Sequence, residues 1–259
     1  MKRKTLSLPP DAPHTPAART RYGEGFRRAR NLIAVVRPTH GLRAAINSID
    51  QALGGGADGV LLCNLNGSSA EISLALALGV RADRADIWVG LHLLDLPAAQ
   101  ALHFPGVRTL NGLAEENAGV STGNDLEYED AREAMGEART NFRWAGLHWG
   151  GLDPAALNNR ALSRASSFVD VVTLRGARSS THVPATALAA ARAALGDHPL
   201  AVGSGVTAAN CESYPPYAAA FIVCEALESE PGVVDRARVA ALAALVHSEP
   251  PVAPPPNQR

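Results

Sequence analysis

The chain is 259 residues long, with 46% hydrophobic residues, 19% charged residues and a formal net charge of −1. That length and apolar share suit one large domain with a sizeable core and exclude wholesale disorder. Near-neutral charge, with a pI of about 6.7, gives no electrostatic case for nucleic acid or a membrane surface as partner, and no apolar run approaches the length that crosses a bilayer.

The basic start, Met1-Lys2-Arg3-Lys4, runs into Pro9, Pro10 and Asp11 instead of an apolar stretch, so it does not read as a secretory signal. Cys63, Cys211 and Cys224 form no CxxC pair and no disulfide framework, which suits a reducing, cytoplasmic setting. Lysine occurs only at Lys2 and Lys4. Schiff-base chemistry and a Walker loop are therefore both without their lysine, and cationic work falls to arginine. Residues 1–22 read as an N-terminal tail and the proline-rich stretch 249–259 as a C-terminal one, leaving 23–248 for the fold.

Between the tails, short apolar runs alternate with helical patterns. Leu32–Val36 precedes a helix over 42–53, and Gly59–Cys63 precedes one over 71–78, whose start Ser68-Ser69-Ala70-Glu71 fits a capping box. Ile87–Leu94 precedes a short helix over 97–102, and the weak run 108–116 precedes a strong helical pattern over 125–139. Trp144–Trp149 leads into a segment opening at Asp153-Pro154, and Val169–Leu174 into an Ala-rich helix over 184–195. Leu200–Gly203 leads into a short helix from Thr207, and Ala218–Val223 into a helix over 234–246. Fully apolar strands alternating with helices predict a parallel sheet covered by helices, and eight such units match an α/β fold of the (β/α)8 TIM barrel type. The competing open sheet needs a nucleotide fingerprint at its first turn, where this chain has Arg37-Pro38-Thr39-His40-Gly41. With three Trp, four Tyr and five Phe in all, the barrel interior is expected to be filled mainly by Val, Leu, Ile and Ala.

Barrel sites sit at the C-terminal ends of strands. Those ends carry Arg37 and His40; Cys63, Asn64 and Asn66; His92 and Asp95; Glu116 and Asn117; His148 and Trp149; Thr173 and Arg175, with Arg178 behind; Gly203, Ser204 and Gly205; and Cys224 with Glu225. Gly203-Ser204-Gly205-Val206-Thr207 joins a strand to a helix start, where backbone amides approach an anion. His40, His92 and His148 fall on strands one, three and five, whose side chains share a layer. Such a trio would suit zinc, but no short metal motif or H-x-H pair accompanies it, so no metal is assigned. General acid/base work by a histidine, with Glu116 or Asp95 as partner, ranks ahead. Cys63 and Cys224 read as small fillers before nucleophiles, and Trp149 reads equally as core or as a stacking surface.

The segments Pro199–Asn210 and Tyr217–Val223, with Gly56–Val60, Trp88-Val89-Gly90 and Asp170–Thr173, resemble the BtpA-like family of TIM barrels, relatives of the phosphate-binding barrels that include phosphoribosylanthranilate isomerase. The resemblance spans about residues 30–246 and implies a phosphate-binding barrel; some members of the family are linked to photosystem assembly. Related barrels close strand eight with Gly and a small hydroxyl residue, whereas this chain has Cys224-Glu225. A carboxylate ~4 Å from a phosphate costs on the order of 4 kcal/mol per charge pair at an effective dielectric of 20, so Glu225 must point away, be protonated or mark a lost site.

The expectation is an enzyme acting on a small anionic, phosphorylated metabolite by general acid/base chemistry, an isomerase or lyase without a cofactor. His148 and Glu116 move protons, with His40 and His92 beside them. Arg37, Asn64, Asn66, Thr173, Arg175, Gly203, Ser204, Gly205 and Glu225 line the substrate site. Two alternatives stand open: a non-catalytic barrel serving as a binding or assembly factor, and a metal-dependent hydrolase built on the rim histidines. A homo-oligomer also stands open.

Overall fold

Every residue of β1 (Asn31–Val36) and of β2 (Gly59–Cys63) is buried. Strands buried on both faces need cover on both, which a helix-wrapped parallel sheet supplies. In the computed structural model these two are joined by β3 (Trp88–His92), β4 (Gly112–Glu115), β5 (Leu147–Leu152), β6 (Val171–Arg175), β7 (Leu200–Gly203) and β8 (Ala220–Val223), and the eight close into a barrel in sequence order. All neighbours are parallel, and β1 seals the barrel by pairing Ile33 with Gly59 on one side and Ile222 on the other. The structure describes residues 15–65, 69–94, 96, 98–117, 125–176, 181–203 and 205–248.

The helices are α1 (Thr15–Gly25), α2 (Leu42–Gly54), α3 (Ala70–Asp83), α4 (Ala98–Ala101), α5 (Asp125–Thr140), α6 (Asn159–Ser166), α7 (Ala185–Leu195), α8 (Ala208–Cys211) and α9 (Arg236–His247). A hairpin of β9 (Glu228–Glu230) and β10 (Val233–Val234) stands between β8 and α9. Alternation along each strand separates two apolar layers. Leu32, Ala34, Val60, Leu62, Val89 and Leu91 face the helices, while Ile33, Val35, Leu61, Cys63, Leu147 and Val171 face the barrel axis. Among the described residues no helix is long and apolar enough to cross a membrane.

The interior is mainly aliphatic, as expected, through Ile33, Val35, Leu61, Ala114, Leu147, Val171, Ala201 and Ala220. An aromatic cluster joins it in the lower half: Trp88 and Trp149 meet at 5.4 Å between ring centroids, and Tyr22 and Phe26 pack against them. Glycines make the room. A Cβ on Gly90 or Gly112 would lie 2.4 or 2.3 Å from the Trp88 ring, and one on Gly59 would lie 2.9 Å from it. Tyr22 and Phe26 come from α1 and the turn after it, a stretch that the sequence places in or beside a tail ending at residue 22. Residues 15–22 therefore belong to the fold instead of a tail. Thr15–Gly25 form a helix that plugs the N-terminal mouth, where the Tyr22 hydroxyl donates to the Ala219 carbonyl at 2.8 Å and accepts from Asn31 Nδ2 at 2.9 Å.

Asp170, fully buried just before β6, ties this plug to the barrel. Its carboxylate accepts from Arg21 Nε of α1 at 2.8 Å, from Arg139 of α5, and from the His148 backbone N–H of β5 at 2.8 Å.

Several boundaries move. The fifth strand runs Leu147–Leu152, three residues later than the apolar pattern suggests. Trp144 belongs to the preceding loop, where its indole donates to the Leu110 carbonyl at 3.2 Å and packs under Arg139. The α3 cap is Ser69, whose hydroxyl accepts from the Ile72 N–H at 3.1 Å; Ser68 lies outside the described residues.

Candidate active site

The C-terminal ends of the strands surround a cavity of about 450 Å³. Trp149 forms its floor, above the aromatic plug. One wall is apolar: Val35, Leu61, Cys63, Leu65, Leu94 and Ile222. The opposite wall is polar and comes from the ends of β3, β4 and β6: His92, Glu116, Thr173 and Arg175. An apolar chamber with a few convergent polar groups is the usual form of a small-molecule site.

The polar wall is held by its own pairings. Arg175 Nη1 lies 2.5 Å from Glu116 Oε2, and Arg175 Nε donates to the Glu116 main-chain carbonyl at 2.9 Å. One arginine thus fixes both the backbone and the carboxylate of Glu116, with the geometric constraint that a planar fork provides. The β5 backbone must come close for this to happen. A Cβ on Gly151 would lie 2.3 Å from the Glu116 carbonyl oxygen. The other Glu116 oxygen, Oε1, lies 3.7 Å from His92 Nε2.

His92 Nε2 and Thr173 Oγ1 are both shut off from solvent without a hydrogen-bond partner. Buried polar atoms are normally satisfied, and these two unsatisfied ones lie along the same cavity wall. Burial, with the Arg175 guanidinium beside it, pulls the His92 imidazole from 6.5 down to about 4. The ring is neutral at physiological pH and can offer an N–H or a lone pair, but not a charge.

This depressed value links to stability. Above pH 6.5 neither the folded nor the unfolded chain binds a proton at His92. Between 6.5 and about 4 only the unfolded chain does. Stability therefore falls with pH through that window, by roughly 3 kcal/mol in total from this group. Chemical denaturation of His92→Gln at pH 7 and pH 4.5 is expected to show a shallower loss than the unsubstituted protein; equal losses would mean that the imidazole is not desolvated.

The other expected site residues divide clearly. Gly203 lines the cavity beside Thr173. His148 does not reach it. Because β5 starts three residues later, His148 is its second residue and points outward, fully buried against Phe168, with Nε2 on Glu115 at 2.6 Å. Its carboxylate partner is thus Glu115, not Glu116. His40 sits exposed on the loop after β1 and contacts the Pro231 carbonyl of the hairpin at 2.8 Å. His40, His92 and His148 therefore do not converge, and no group of three His, Cys, Asp or Glu suited to a metal occurs among the described residues.

Arg37 is spent on a buried ion pair with Glu228, which anchors the hairpin to the end of β1. Asn64 ties two strand ends together: its Oδ1 accepts from the Leu94 N–H at 2.8 Å. Glu225 is exposed, in the turn after β8. Gly205 adopts φ +63°, and a Cβ there would lie 2.5 Å from the Thr181–His182 backbone, so Gly205→Asp would report packing instead of ligand contact. Asn66, Asp95, Arg178 and Ser204 lie outside the described residues. The sequence missed the apolar wall of Leu65, Leu94 and Ile222, which carries no motif beyond its place at the strand ends. Cys63 and Cys224 line the cavity, and burial pushes the Cys224 thiol up, away from the nucleophilic thiolate.

No protein-family model matches the chain, and a search of curated proteins returns no match. Solved structures share its fold at low identity. Tryptophan synthase from Mycobacterium tuberculosis superposes with a TM-score of 0.64 at 16% identity, covering 93% of this chain and 100% of that one. Tryptophan synthase subunit alpha from Legionella pneumophila gives 0.62 at 14%, covering 91% and 98%. A protein described as KDPGal gives 0.61 at 15%, covering 83% and 93%. These likenesses establish a TIM barrel; fold alone does not set chemistry.

Proposed function

We propose that this barrel is an enzyme that binds a small anionic metabolite at its C-terminal mouth and moves a proton by general acid/base chemistry, as an isomerase or lyase does. The observation that carries this reading is the pair of buried, unpartnered atoms, His92 Nε2 and Thr173 Oγ1, on one wall of an open cavity. A degenerate barrel is free to fill such a chamber with apolar side chains; this one keeps it open and polar on one side.

In this reading Glu116 accepts the proton, and Arg175 aims its carboxylate. The neutral imidazole of His92 polarises the substrate oxygen by donating an N–H, without adding a charge that would quench Glu116. Thr173 hydroxyl and the Arg175 guanidinium face the anionic group, bordered by Gly203 at the start of the glycine loop. A phosphate as that anion, and the BtpA-like resemblance, belong to the same reading. The exposure of Glu225 suits it, because the carboxylate then spares the phosphate its repulsion.

Thermal unfolding with a panel of sugar phosphates tests it. A ligand at 100 times its Kd stabilises by about 2.7 kcal/mol, which for a domain of this size is roughly 5–10 °C. At least one compound is expected to exceed inorganic phosphate at equal concentration, and Arg175→Met is expected to remove the excess. A second reading, a barrel that binds a protein, draws on exposed apolar side chains along α2 and α3, with Leu42 53%, Ile46 47% and Ile72 43% exposed. No shift across the panel would favour it.

A further inference from the structure

A second cavity, of about 570 Å³, opens on the N-terminal face, on the far side of the aromatic plug. Its walls all precede strands: Arg28-Ala29-Arg30 before β1, Gly196-Asp197 before β7 and Pro215–Ala219 before β8, with His247 at the end of α9. Most charges there are matched. Arg28 pairs with Asp58 at 3.1 Å, and His247 Nε2 contacts the same carboxylate at 2.7 Å. Arg192 donates to the carbonyls of Tyr217 and His198 at 2.8–2.9 Å, and Asp197 pairs with Arg19 at 2.9 Å.

Arg30 is the exception. It is 9% exposed, and its Nη1 is closed off from solvent with no hydrogen-bond partner. No carboxylate among the described residues pairs with it. A buried lysine could shed its proton, but a guanidinium keeps its charge, and a buried charge without a counter-charge is among the costliest arrangements in a folded chain. The neighbouring Arg192 guanidinium is held below its ordinary range by burial, only partly offset by Asp197. The cavity is short of negative charge.

We propose that this N-terminal cavity binds a small organic oxyanion, its phosphate or carboxylate group on Arg30 and its apolar body against Pro215, Pro216 and Tyr217. The site shares no lining residue with the C-terminal mouth, and the two bind independently.

Thermal unfolding of the full chain with phenyl phosphate or benzoate, against sodium chloride at matched ionic strength, tests this. One of the two probes is expected to raise the Tm by roughly 5 °C at saturation, and which one does so tells phosphate from carboxylate. The shift is expected to survive Arg175→Met and to vanish in Arg30→Met. In chloride alone Arg30→Met should be at least as stable as the unsubstituted chain, because it removes an uncompensated charge. Ala29 is exposed at the cavity wall, so Ala29→Glu offers a second variant that brings a carboxylate of its own to the cavity: it should raise the Tm in chloride and blunt the response to either probe. No shift with either probe, or a shift retained in Arg30→Met, would overturn the proposal.

Discussion

Asp170→Asn is expected to lower stability by about 3–5 kcal/mol, the cost of breaking a buried ion pair from one side. The substitution keeps an acceptor for the His148 N–H but strips Arg21 and Arg139 of their common carboxylate. Both guanidiniums are only 20% exposed, so water replaces the carboxylate poorly. The loss should appear as a Tm lowered by roughly 6–20 °C. It should also loosen α1 first, because Arg21 is that helix's part-buried charged anchor to the barrel. Limited proteolysis between α1 and β1, read beside the melting curve, separates the two effects. A change below about 1 kcal/mol would mean that the Asp170 cluster is solvated, and that Tyr22 and Phe26 dominate the hold on the plug.

The second large effect concerns turnover. For any compound of the panel that the protein converts, Glu116→Gln and His92→Gln are each expected to lower kcat by about 10²–10⁴-fold. The KM should change far less, because the amides keep the shape of the wall and most of its hydrogen bonding. Glu116→Gln loses the proton acceptor and weakens the grip of Arg175. His92→Gln retains an N–H donor at nearly the same height but no ring lone pair, so a smaller fall for His92→Gln than for Glu116→Gln would assign His92 to polarisation. Equal falls would assign it to proton transfer. His148→Gln, outside the cavity, should lower stability through its buried contact with Glu115 and leave kcat per folded molecule unchanged.

The barrel was legible because its strands are buried on both faces. Runs such as Gly59–Cys63 and Leu200–Gly203 have no polar interruption, and the structure places β2 and β7 at those residues. The fifth strand was harder to read. Trp144 is apolar for a reason unrelated to the sheet, and Gly150-Gly151 look like a turn although they are the strand interior that the Glu116 carbonyl crosses. A three-residue shift is odd, so it also reversed the face, and it carried His148 from the rim to the helix layer. Alternation was enough to bring His92, Thr173, Arg175 and Gly203 to the same end of the barrel. It could not show that Arg37 and His40, at that same end, are committed to the β9–β10 hairpin. Those partners, Glu228 and Pro231, each lie 191 residues away in sequence. The aromatic plug was equally hidden: only the fold brings Gly59, Gly90 and Gly112 around one indole.

The central claim is that the wall of His92, Glu116, Thr173 and Arg175 is where a ligand meets this protein. Imidazole NMR of the folded chain addresses it most directly, with the His92 resonance assigned by its loss in His92→Gln and followed through pH and through the sugar-phosphate panel. The His92 ring is expected to stay neutral down to about pH 4, and its resonance to move when a stabilising compound is added, while that of His148 does not. A His92 ring that titrates near 6.5 and ignores every compound that stabilises the fold would contradict it.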